Sequence, residues 1–322
     1  MIIENSMKWQ GMAGEWGAGR KETARQAMAW AKEHGLVTHG HVLVWPSARF
    51  TPRPLQHLVS KANATKLAET VKEHILEATR YYDPVVDEWQ VVNELYGNQE
   101  FTDILGPKAL GDWFRTAHAS VPDVPLYIND YGIVSANYND QAPHPLAYEK
   151  TIEGLLAEGA PLGGIGMQSH FGSALTPPER VYAILERFGR FGLPIQATEF
   201  DVHARDEPVQ ADYTRDFLTV FFSHPATRGV IFWGFWEGQH WVPHAALVRK
   251  NWEYKPNMQA YRDLVFGQWW TDATGRTGAD GAYATRGFLG EYTVRVTHGG
   301  KTQTQSFTLD PKGAQVLIAL GQ

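Results

Sequence analysis

The chain has no cysteine among its 322 residues, so it can form neither a disulfide nor a thiolate metal site. It also lacks an excess of positive charge, because 29 Lys and Arg face 35 Asp and Glu and give a net charge of −6. This balance argues against nucleic acid as a partner. No stretch approaches the roughly 20 apolar residues that a transmembrane helix needs, so we expect no membrane span.

Signals for targeting and for nucleotide binding are missing as well. The start, MIIENSMKWQG, has no basic segment followed by an apolar one, and therefore does not read as a signal peptide. We expect either an intracellular protein or one whose secretion signal lies outside this chain. Neither G-x-G-x-x-G nor a P-loop is present, which disfavours a nucleotide-binding fold.

Short apolar runs alternate with helical stretches almost to residue 266. The runs that we interpret as buried parallel strands are 36–45, 86–92, 125–131, 164–169, 194–200 and 229–236. Repeated βα units predict an α/β fold, either a barrel or a doubly wound sheet, and the missing nucleotide motifs favour the barrel. After residue 267 apolar and polar residues alternate with period two, and Gly and Asp interrupt the pattern, which predicts about four antiparallel strands, similar to half a β-sandwich.

Two glutamates stand at the ends of predicted strands. Glu94 follows WQVVN, and Glu199 lies near the end of PIQATEF, two to three βα units later. The carboxyl ends of the strands of a parallel barrel meet at one face, so these carboxyl groups can face one another. Hydrolysis of a glycosidic bond uses two carboxyl groups on either side of the bond, and the pair therefore predicts a glycosidase.

Six phrases, in this order along the chain, resemble glycoside hydrolase family 10, the endo-β-1,4-xylanases. They are ENSMKW, GHVLVW, WQVVNE, YINDY, GMQSH with QATEFD, and FWGFWEGQHW. The resemblance covers about residues 2–266. It implies a TIM (β/α)8-type barrel over residues 1–266 that hydrolyses xylan with retention of configuration and needs no metal or organic cofactor. Residues 267–322 would form the small sandwich-like β domain.

The resemblance assigns roles to five residues around the cleaved bond. Glu94 matches the acid/base and Glu199 the nucleophile. Asn93 matches the residue that hydrogen-bonds the sugar 2-hydroxyl, a contact that strengthens in the transition state. His170 and Asp201 match the imidazole and second carboxylate that orient the nucleophile and keep it ionised.

The resemblance also implies a set of sugar-binding side chains. We expect a polar cluster on the glycone side at Glu4, Asn5 and Lys8, and hydrogen-bonding groups near the cleaved bond at His41 and Gln168. We expect aromatic walls at Trp45, Trp233 and Trp241, and one residue on the aglycone side at Tyr131. The histidines at 39, 41 and 170 lack the helical spacing of common zinc motifs, so we expect no metal site.

The sequence departs from the family pattern at several places. Pro46 stands where the family commonly has a histidine, and Ser169 and the pair Trp236–Glu237 also differ. The ENSMKW phrase of the family's second strand begins at residue 4, so the first strand is missing and we count seven barrel strands. A homodimer that covers this seam, near Ile2, Ile3, Val230 and Phe232, is one consequence that we expect.

Two other functions remain open from the sequence. One is a xylan-binding protein with weak or no turnover, because the barrel is incomplete. The other is a retaining β-1,4-glucanase, because sequence alone does not settle whether an extra hydroxymethyl group fits beside Trp233 and Trp241. Four aromatic residues of the carboxyl-terminal segment either stack on sugar or form a structural core, namely Trp269, Trp270, Tyr283 and Tyr292. The family resemblance suggests that the protein is secreted.

Overall fold

The computed structural model describes residues 1–135, 139 and 141–319. It contains two compact units, Met1–Met258 and Gln259–Gln322. The border that we predicted between residues 266 and 267 falls inside the second unit, and the domain assignment stays a prediction. Among the described helices, none is long and apolar enough to cross a membrane.

The first unit is built on a parallel sheet. Its strands are β1 (His39–Gly40), β2 (Glu88–Asn93), β3 (Leu126–Asp130), β4 (Gly164–Met167), β5 (His170–Phe171), β6 (Ile195–Val202) and β7 (Thr227–Phe232). The order of hydrogen-bonded neighbours is β1, β2, β3, β4, β6, and both β5 and β7 also pair with β6. This arrangement confirms the predicted α/β fold class.

Helices follow the strands. They are α1 (Trp9–Met12), α2 (Arg20–Glu33), α3 (Ala64–Tyr82), α4 (Glu100–Leu105), α5 (Ala109–Ser120), α6 (Pro143–Ala157), α7 (Pro178–Gly189), α8 (Glu207–Ser223) and α9 (Pro256–Asp263), with short 3-10 turns at Ala48–Phe50, Arg53–Leu58, Lys61–Asn63 and Pro243–Ala245, and a π-helical turn at Leu264–Gln268. In α3, Leu67, Val71 and Ile75 recur every four residues and are all buried. This spacing gives the helix one apolar face, which packs against the rest of the unit.

The seven strands of the sheet occupy six strand positions of a barrel. β4 and β5 are two parts of one position, interrupted where Ser169 adopts a φ of 68°. Ile2 adds a further position through a parallel bridge to His39. Among the described residues no ladder joins Ile2 to β7. β7 is also only half-buried or exposed, whereas β3, β4 and β6 are buried throughout. Among the described residues, β7 therefore has a ladder partner on one side only, namely β6.

Packing behind β6 fixes the direction of its side chains. Phe200 stacks on Phe217 of α8 with ring centroids 4.3 Å apart and planes inclined by 7°. Side chains alternate along a strand, so Glu199 and Asp201 on either side of Phe200 point away from this helix. A buried aromatic contact therefore orients two acidic residues toward the inside of the sheet.

The second unit contains one antiparallel hairpin, β8 (Gly290–His298) and β9 (Lys301–Leu309). Gly299 and Gly300 form its two-residue turn with φ of 56° and 77°, values that glycine adopts easily. The prediction of antiparallel structure is confirmed, but the prediction of about four strands is wrong. Gly278 and Ala282 close a tight turn around Asp280, and the described residues 269–289 form no ladder.

Candidate active site

Polar side chains collect at the carboxyl ends of the parallel strands. Asn93 at the end of β2 lies beside Asn129 at the end of β3, and His170 in β5 lies beside Asp201 in β6. The predicted acid/base, Glu94, follows directly after β2. Carboxyl ends of parallel strands are where barrel enzymes place their active sites. The strand register therefore brings together the carboxyl ends of β2 and β6, which carry the two glutamates that we predicted to meet.

Glu199 is buried and accepts hydrogen bonds on both carboxylate oxygens. Its Oε1 accepts from Nδ2 of Asn129 at 2.8 Å, and its Oε2 lies 3.2 Å from Nε2 of His170. Nδ1 of His170 in turn lies 2.7 Å from Oδ1 of Asp201. The structure thus contains the carboxylate–imidazole–carboxylate chain that the sequence predicted. Asn129 was missed, although it stands in the quoted YINDY phrase.

The hydrogen bonds that link Glu199, His170 and Asp201 keep both carboxylates ionised and the imidazole charged. Burial alone would raise the pKa of Glu199, but the hydrogen bond from His170 and nearby positive charges outweigh it and lower that pKa. Burial also raises the pKa of Asp201, yet hydrogen bonds from His170 and His203 lower it to about 2. Burial would lower the pKa of His170, but its bonds to Asp201 and Glu199 raise it to about 10. Glu199 is consequently anionic at neutral pH, as a nucleophile must be.

Asp201 has two further partners. Nε2 of His203 lies 2.9 Å from Oδ1, and the indole nitrogen of Trp241 donates to Oδ2 at 2.7 Å. Trp241 was predicted and His203 was not. In the described part of the chain, His170, Asp201 and His203 are the one triplet of His, Cys, Asp and Glu side chains whose possible ligand atoms lie within 4.8 Å of one another. A cation there would compete with the protons that His170 shares with the two carboxylates.

The surroundings of Glu94 shift its pKa in the direction opposite to the shift at Glu199. Its backbone φ is 53°, uncommon for a residue other than glycine, and the amide of Asn98 donates to its carbonyl oxygen at 3.0 Å. Nε2 of Gln168 donates to its Oε1 at 2.9 Å. Burial raises the pKa of Glu94, the charges of Glu199 and Asp130 raise it further, and the bond from Gln168 opposes them only in part. Two carboxyl groups with pKa values moved in opposite directions are typical of an acid and a nucleophile.

Asn93 and His41 each present a free polar atom in the buried interior. Oδ1 of Asn93 accepts from Asn129 at 3.0 Å and from Gln168 at 3.2 Å, while its Nδ2 is buried without a partner among the described residues. Nδ1 of His41 lies 2.6 Å from Oε1 of Gln90, and its Nε2 is likewise buried and unpartnered in the described chain. Burial lowers the pKa of His41 to about 4, so its ring is neutral at neutral pH. Such atoms are suited to sugar hydroxyl groups.

The predicted glycone residues lie together near the amino terminus. Nζ of Lys8 donates to Oδ1 of Asn5 at 3.0 Å and stands 5.1 Å from the ring of Trp45 and 5.9 Å from that of Trp233. Burial lowers the pKa of Lys8, against the effect of the Glu199 and Glu94 carboxylates. Burial raises the pKa of Glu4, against the effect of Lys8. The cluster therefore shares the electrostatic field of the two candidate catalytic carboxyl groups.

Aromatic side chains border this cluster. Trp45 stacks on Phe50 with ring centroids 3.6 Å apart, and Trp233 is 8% exposed. Trp241 is 55% exposed and lies edge-on to His170 at 5.0 Å. Trp233 is thus buried in the interior and Trp45 is half-buried against Phe50, whereas Trp241 presents an open indole face beside the nucleophile's hydrogen-bond chain.

On the other side of Glu94, Tyr131 is 38% exposed and lies edge-on to His144 at 4.5 Å. His144 also stacks on Tyr96 at 4.0 Å, and its Nε2 lies 3.0 Å from Oδ1 of Asp130. The sequence predicted only Tyr131 in this group. Asp130 stands in the quoted YINDY phrase but was not singled out, whereas Tyr96 and His144 stand in none of the quoted phrases and join the group through the fold.

The positions that depart from the family pattern have structural roles of their own. The carbonyl of Pro46 accepts from the backbone of Phe101, and the hydroxyl of Ser169 donates to the carbonyl of Met167 at 2.9 Å. Trp236 stacks on Trp252 outside the interior. Because position 46 is Pro, no imidazole stands directly after Trp45.

The chain is similar to known glycosyl hydrolases. Residues 1–264 match the model of glycosyl hydrolase family 10. Endo-1,4-beta-xylanase 1 of Arabidopsis thaliana is 30% identical over 321 residues, which are 99% of this chain and 33% of that protein. The chain therefore spans about a third of the length of this relative.

Two solved structures are similar to most of the chain. Native xylanase 10B from Thermotoga maritima is 27% identical with a TM-score of 0.72, over 83% of this chain and 86% of that one. Xylanase 10B from Thermotoga petrophila RKU-1, in complex with xylobiose, is 26% identical with the same TM-score, over 83% and 85% of the chains. The resemblance predicted from the six phrases is confirmed, and the chain belongs to glycosyl hydrolase family 10.

Proposed function

We propose that this protein is an endo-β-1,4-xylanase that cleaves xylan with retention of the anomeric configuration. The observation that carries the proposal is the pair Glu94 and Glu199, one carboxyl with a raised pKa and one with a lowered pKa, joined through the amides of Gln168, Asn93 and Asn129. A protonated acid and an ionised nucleophile are what a retaining double displacement requires.

In the first step the carboxylate of Glu199 attacks the anomeric carbon, and the bond from that carbon to the leaving oxygen breaks. The proton of Glu94 passes to the leaving oxygen, so the aglycone departs as a neutral alcohol. Asn93 directs its free Nδ2 to the 2-hydroxyl of the sugar, where the hydrogen bond strengthens in the transition state. His170 and Asn129 hold Glu199 in position during the attack.

In the second step Glu94 is ionised and takes a proton from water. The water oxygen attacks the same carbon, the ester bond to Glu199 breaks, and the first product hemiacetal keeps the β configuration. Neutralisation of Glu199 in the ester removes a charge that raises the pKa of Glu94. Its pKa therefore falls in the intermediate, when Glu94 must act as a base.

We assign xylo-oligosaccharide chains as the substrate, because a solved relative holds xylobiose. Lys8, Asn5 and Glu4 would bind hydroxyl groups on the glycone side, and His41 and Gln168 would bind them near the cleaved bond. Trp241 would stack on a sugar ring, and Tyr131 would contact the aglycone. Xylan is a polymer too large to enter a cell, so the proposal includes secretion of the protein.

Hydrolysis of soluble xylan and of carboxymethyl-cellulose tests the proposal. Reducing sugar should form from xylan and far less from carboxymethyl-cellulose, and Glu199→Gln should remove it. Glu77→Gln, at an exposed carboxylate paired with Lys21, is the matched control and should keep full activity. Proton NMR of the reaction should show the β-anomer first. Binding of xylan without turnover would favour the binding-protein alternative, and equal turnover of both polymers would favour a glucanase.

The edge of β7 that faces away from β6 has no ladder partner among the described residues, and this edge bears on assembly. We propose that a second copy of the chain covers this edge in a two-fold contact around Ile2, Ile3, Val230 and Phe232, since uncovered parallel edges invite pairing. These four side chains are each half-buried. Light scattering coupled to size exclusion should report a dimer at micromolar concentration. A stable, active monomer would overturn the dimer.

A further inference from the structure

An aromatic surface lies on the segment that follows β7. This segment, residues 233–255, also supplies Trp241 to the candidate active site. Phe235, Trp236 and Trp252 form what we call the aromatic ledge. None of its members contacts the catalytic hydrogen-bond chain, and the mechanism above does not use them.

Trp252 is the outermost member of the aromatic ledge. It is 63% exposed, although its backbone φ of 70° is rarely adopted by a bulky residue. Its ring stacks on that of Trp236 with centroids 5.5 Å apart and planes inclined by 12°. Phe235, 55% exposed, lies 6.4 Å from Trp252. A strained backbone that presents an indole to solvent indicates a functional constraint rather than core packing.

The ledge is held in place by the backbone around it. The strained turn is closed by a hydrogen bond of 2.9 Å from the backbone nitrogen of Trp252 to the carbonyl of Arg249. Trp236 forms a parallel bridge with Val248, and its indole nitrogen donates to the carbonyl of Lys250 at 3.3 Å. Gly238 leaves room for this indole, because a Cβ there would lie 2.3 Å from the ring.

A buried lysine fixes the far end of the segment. Lys255 is 3% exposed and its Nζ donates to Oε1 of Gln210 at 3.0 Å and to the carbonyl of His244 at 2.6 Å. The ledge is therefore preorganised, which lowers the entropy cost of binding a ligand.

We propose that the aromatic ledge binds pyranose rings of a xylan chain outside the site of cleavage. The proposal rests on the proposed function. The apolar C–H faces of xylose rings stack on flat aromatic rings, and Trp presents the largest such face. Continuity favours a polysaccharide as the occupant, because the segment that carries the ledge also carries the open face of Trp241 into the active site. The exposed Asn251 and Glu253 beside Trp252 can hydrogen-bond sugar hydroxyl groups.

Affinity electrophoresis in native gels with and without soluble xylan tests the proposal without requiring turnover. Trp252→Ala should be retarded about tenfold less by xylan than the wild type, because it loses a stacked ring. Its kcat/KM on an aryl xylobioside should be unchanged, since that substrate fits within the active site. Trp30→Ala is the matched control: Trp30 is a 54% exposed indole of α2, stacked on His34, and its loss should leave retardation unchanged. Trp252→Tyr should restore most of the retardation.

Each outcome separates this inference from the proposed function. Equal retardation of Trp252→Ala and Trp30→Ala, or no retardation of the wild type while it still hydrolyses the xylobioside, overturns the ledge and leaves the xylanase proposal standing. Loss of retardation in Trp252→Ala by a protein that hydrolyses nothing supports the ledge and overturns the enzyme. A change of oligomeric state without a change in retardation shows a protein interface instead. If Trp252→Ala fails to fold, Trp252→Gly removes the ring and relaxes the strained φ.

Discussion

Asn129 reaches Glu199 across an intervening strand. Its Nδ2 lies 2.8 Å from Oε1 of Glu199, although β3 and β6 are separated by β4. Gly166 of β4 makes this possible, because a Cβ there would lie 2.5 Å from Oδ1 of Asn129. The same Oδ1 accepts from the hydroxyl of Thr198 at 2.6 Å, which fixes the orientation of the amide. Because Gly166 has no side chain, residues at the ends of β3 and β6 can therefore meet in one site.

Gly166→Ala should consequently damage catalysis more than folding. The added methyl group displaces the amide of Asn129, so Glu199 loses a hydrogen bond while its other oxygen stays bound to His170. We expect kcat on xylan to fall by about ten- to a hundredfold, with a small decrease in melting temperature. Gly154→Ala, on α6 where a Cβ meets open space, is the control. Unchanged kcat would show that the amide of Asn129 is dispensable.

Glu94→Ala should discriminate between substrates by their leaving group. The phenolate of an activated aryl xyloside departs without a proton, whereas the sugar alkoxide that leaves from xylan needs one. The first step should therefore slow much more on xylan. Stopped-flow measurement should show a burst of phenol followed by slow turnover, and added azide should accelerate that turnover. Equal losses on both substrates in the first step would show that Glu94 is not the acid.

His170→Asn should move the acid limb of the pH profile. In the wild type the charged imidazole keeps the pKa of Glu199 low, so activity persists as the pH falls until Glu199 takes up a proton. Without the imidazolium, Glu199 should protonate at higher pH, and the acid limb of kcat/KM should shift upward. The exposed His34→Asn serves as control. An unchanged acid limb combined with lower kcat would mean that His170 acts by geometry alone.

The same imidazole should link stability to pH. Folding raises the pKa of His170 from 6.5 to about 10, so its contribution to stability is complete below pH 6.5 and is lost as the pH rises through about 10. We therefore expect the difference in melting temperature between wild type and His170→Asn to shrink between pH 6.5 and 10. Calorimetry at both pH values measures this difference, and a constant difference would contradict the raised pKa.

The sequence predicted those parts of the site that stand in short phrases at strand ends. Glu94 and Glu199 follow from local patterns, because buried strands and their final polar residues are consecutive in the chain, whereas His170 followed from the family resemblance. His203 was missed even though it lies two residues after Asp201. Nothing in a strand-end histidine tells whether it turns back to the carboxylate, and only the packing against Trp241 at 5.2 Å shows the direction.

The parts that could not be predicted depend on contacts between distant segments. Asp130 meets His144 only because the start of α6 returns over the end of β3. The aromatic ledge depends on the backbone angle of Trp252, which composition and periodicity do not encode. In the carboxyl-terminal unit, alternation correctly predicted β8 and β9. It overestimated their number, because alternating residues form a strand only where a partner ladder exists.

Covalent trapping of Glu199 tests the central claim most directly. A 2-deoxy-2-fluoro xylobioside with a dinitrophenolate leaving group slows both steps, but the leaving group keeps the first one fast enough for the glycosyl-enzyme to accumulate. We predict a mass increase of one fluoroxylobiosyl group, located by peptide mapping on Glu199 and present also in Glu77→Gln. Glu199→Gln should stay unlabelled. Absence of an adduct in the wild type, or an adduct on any other residue, would contradict the proposed mechanism.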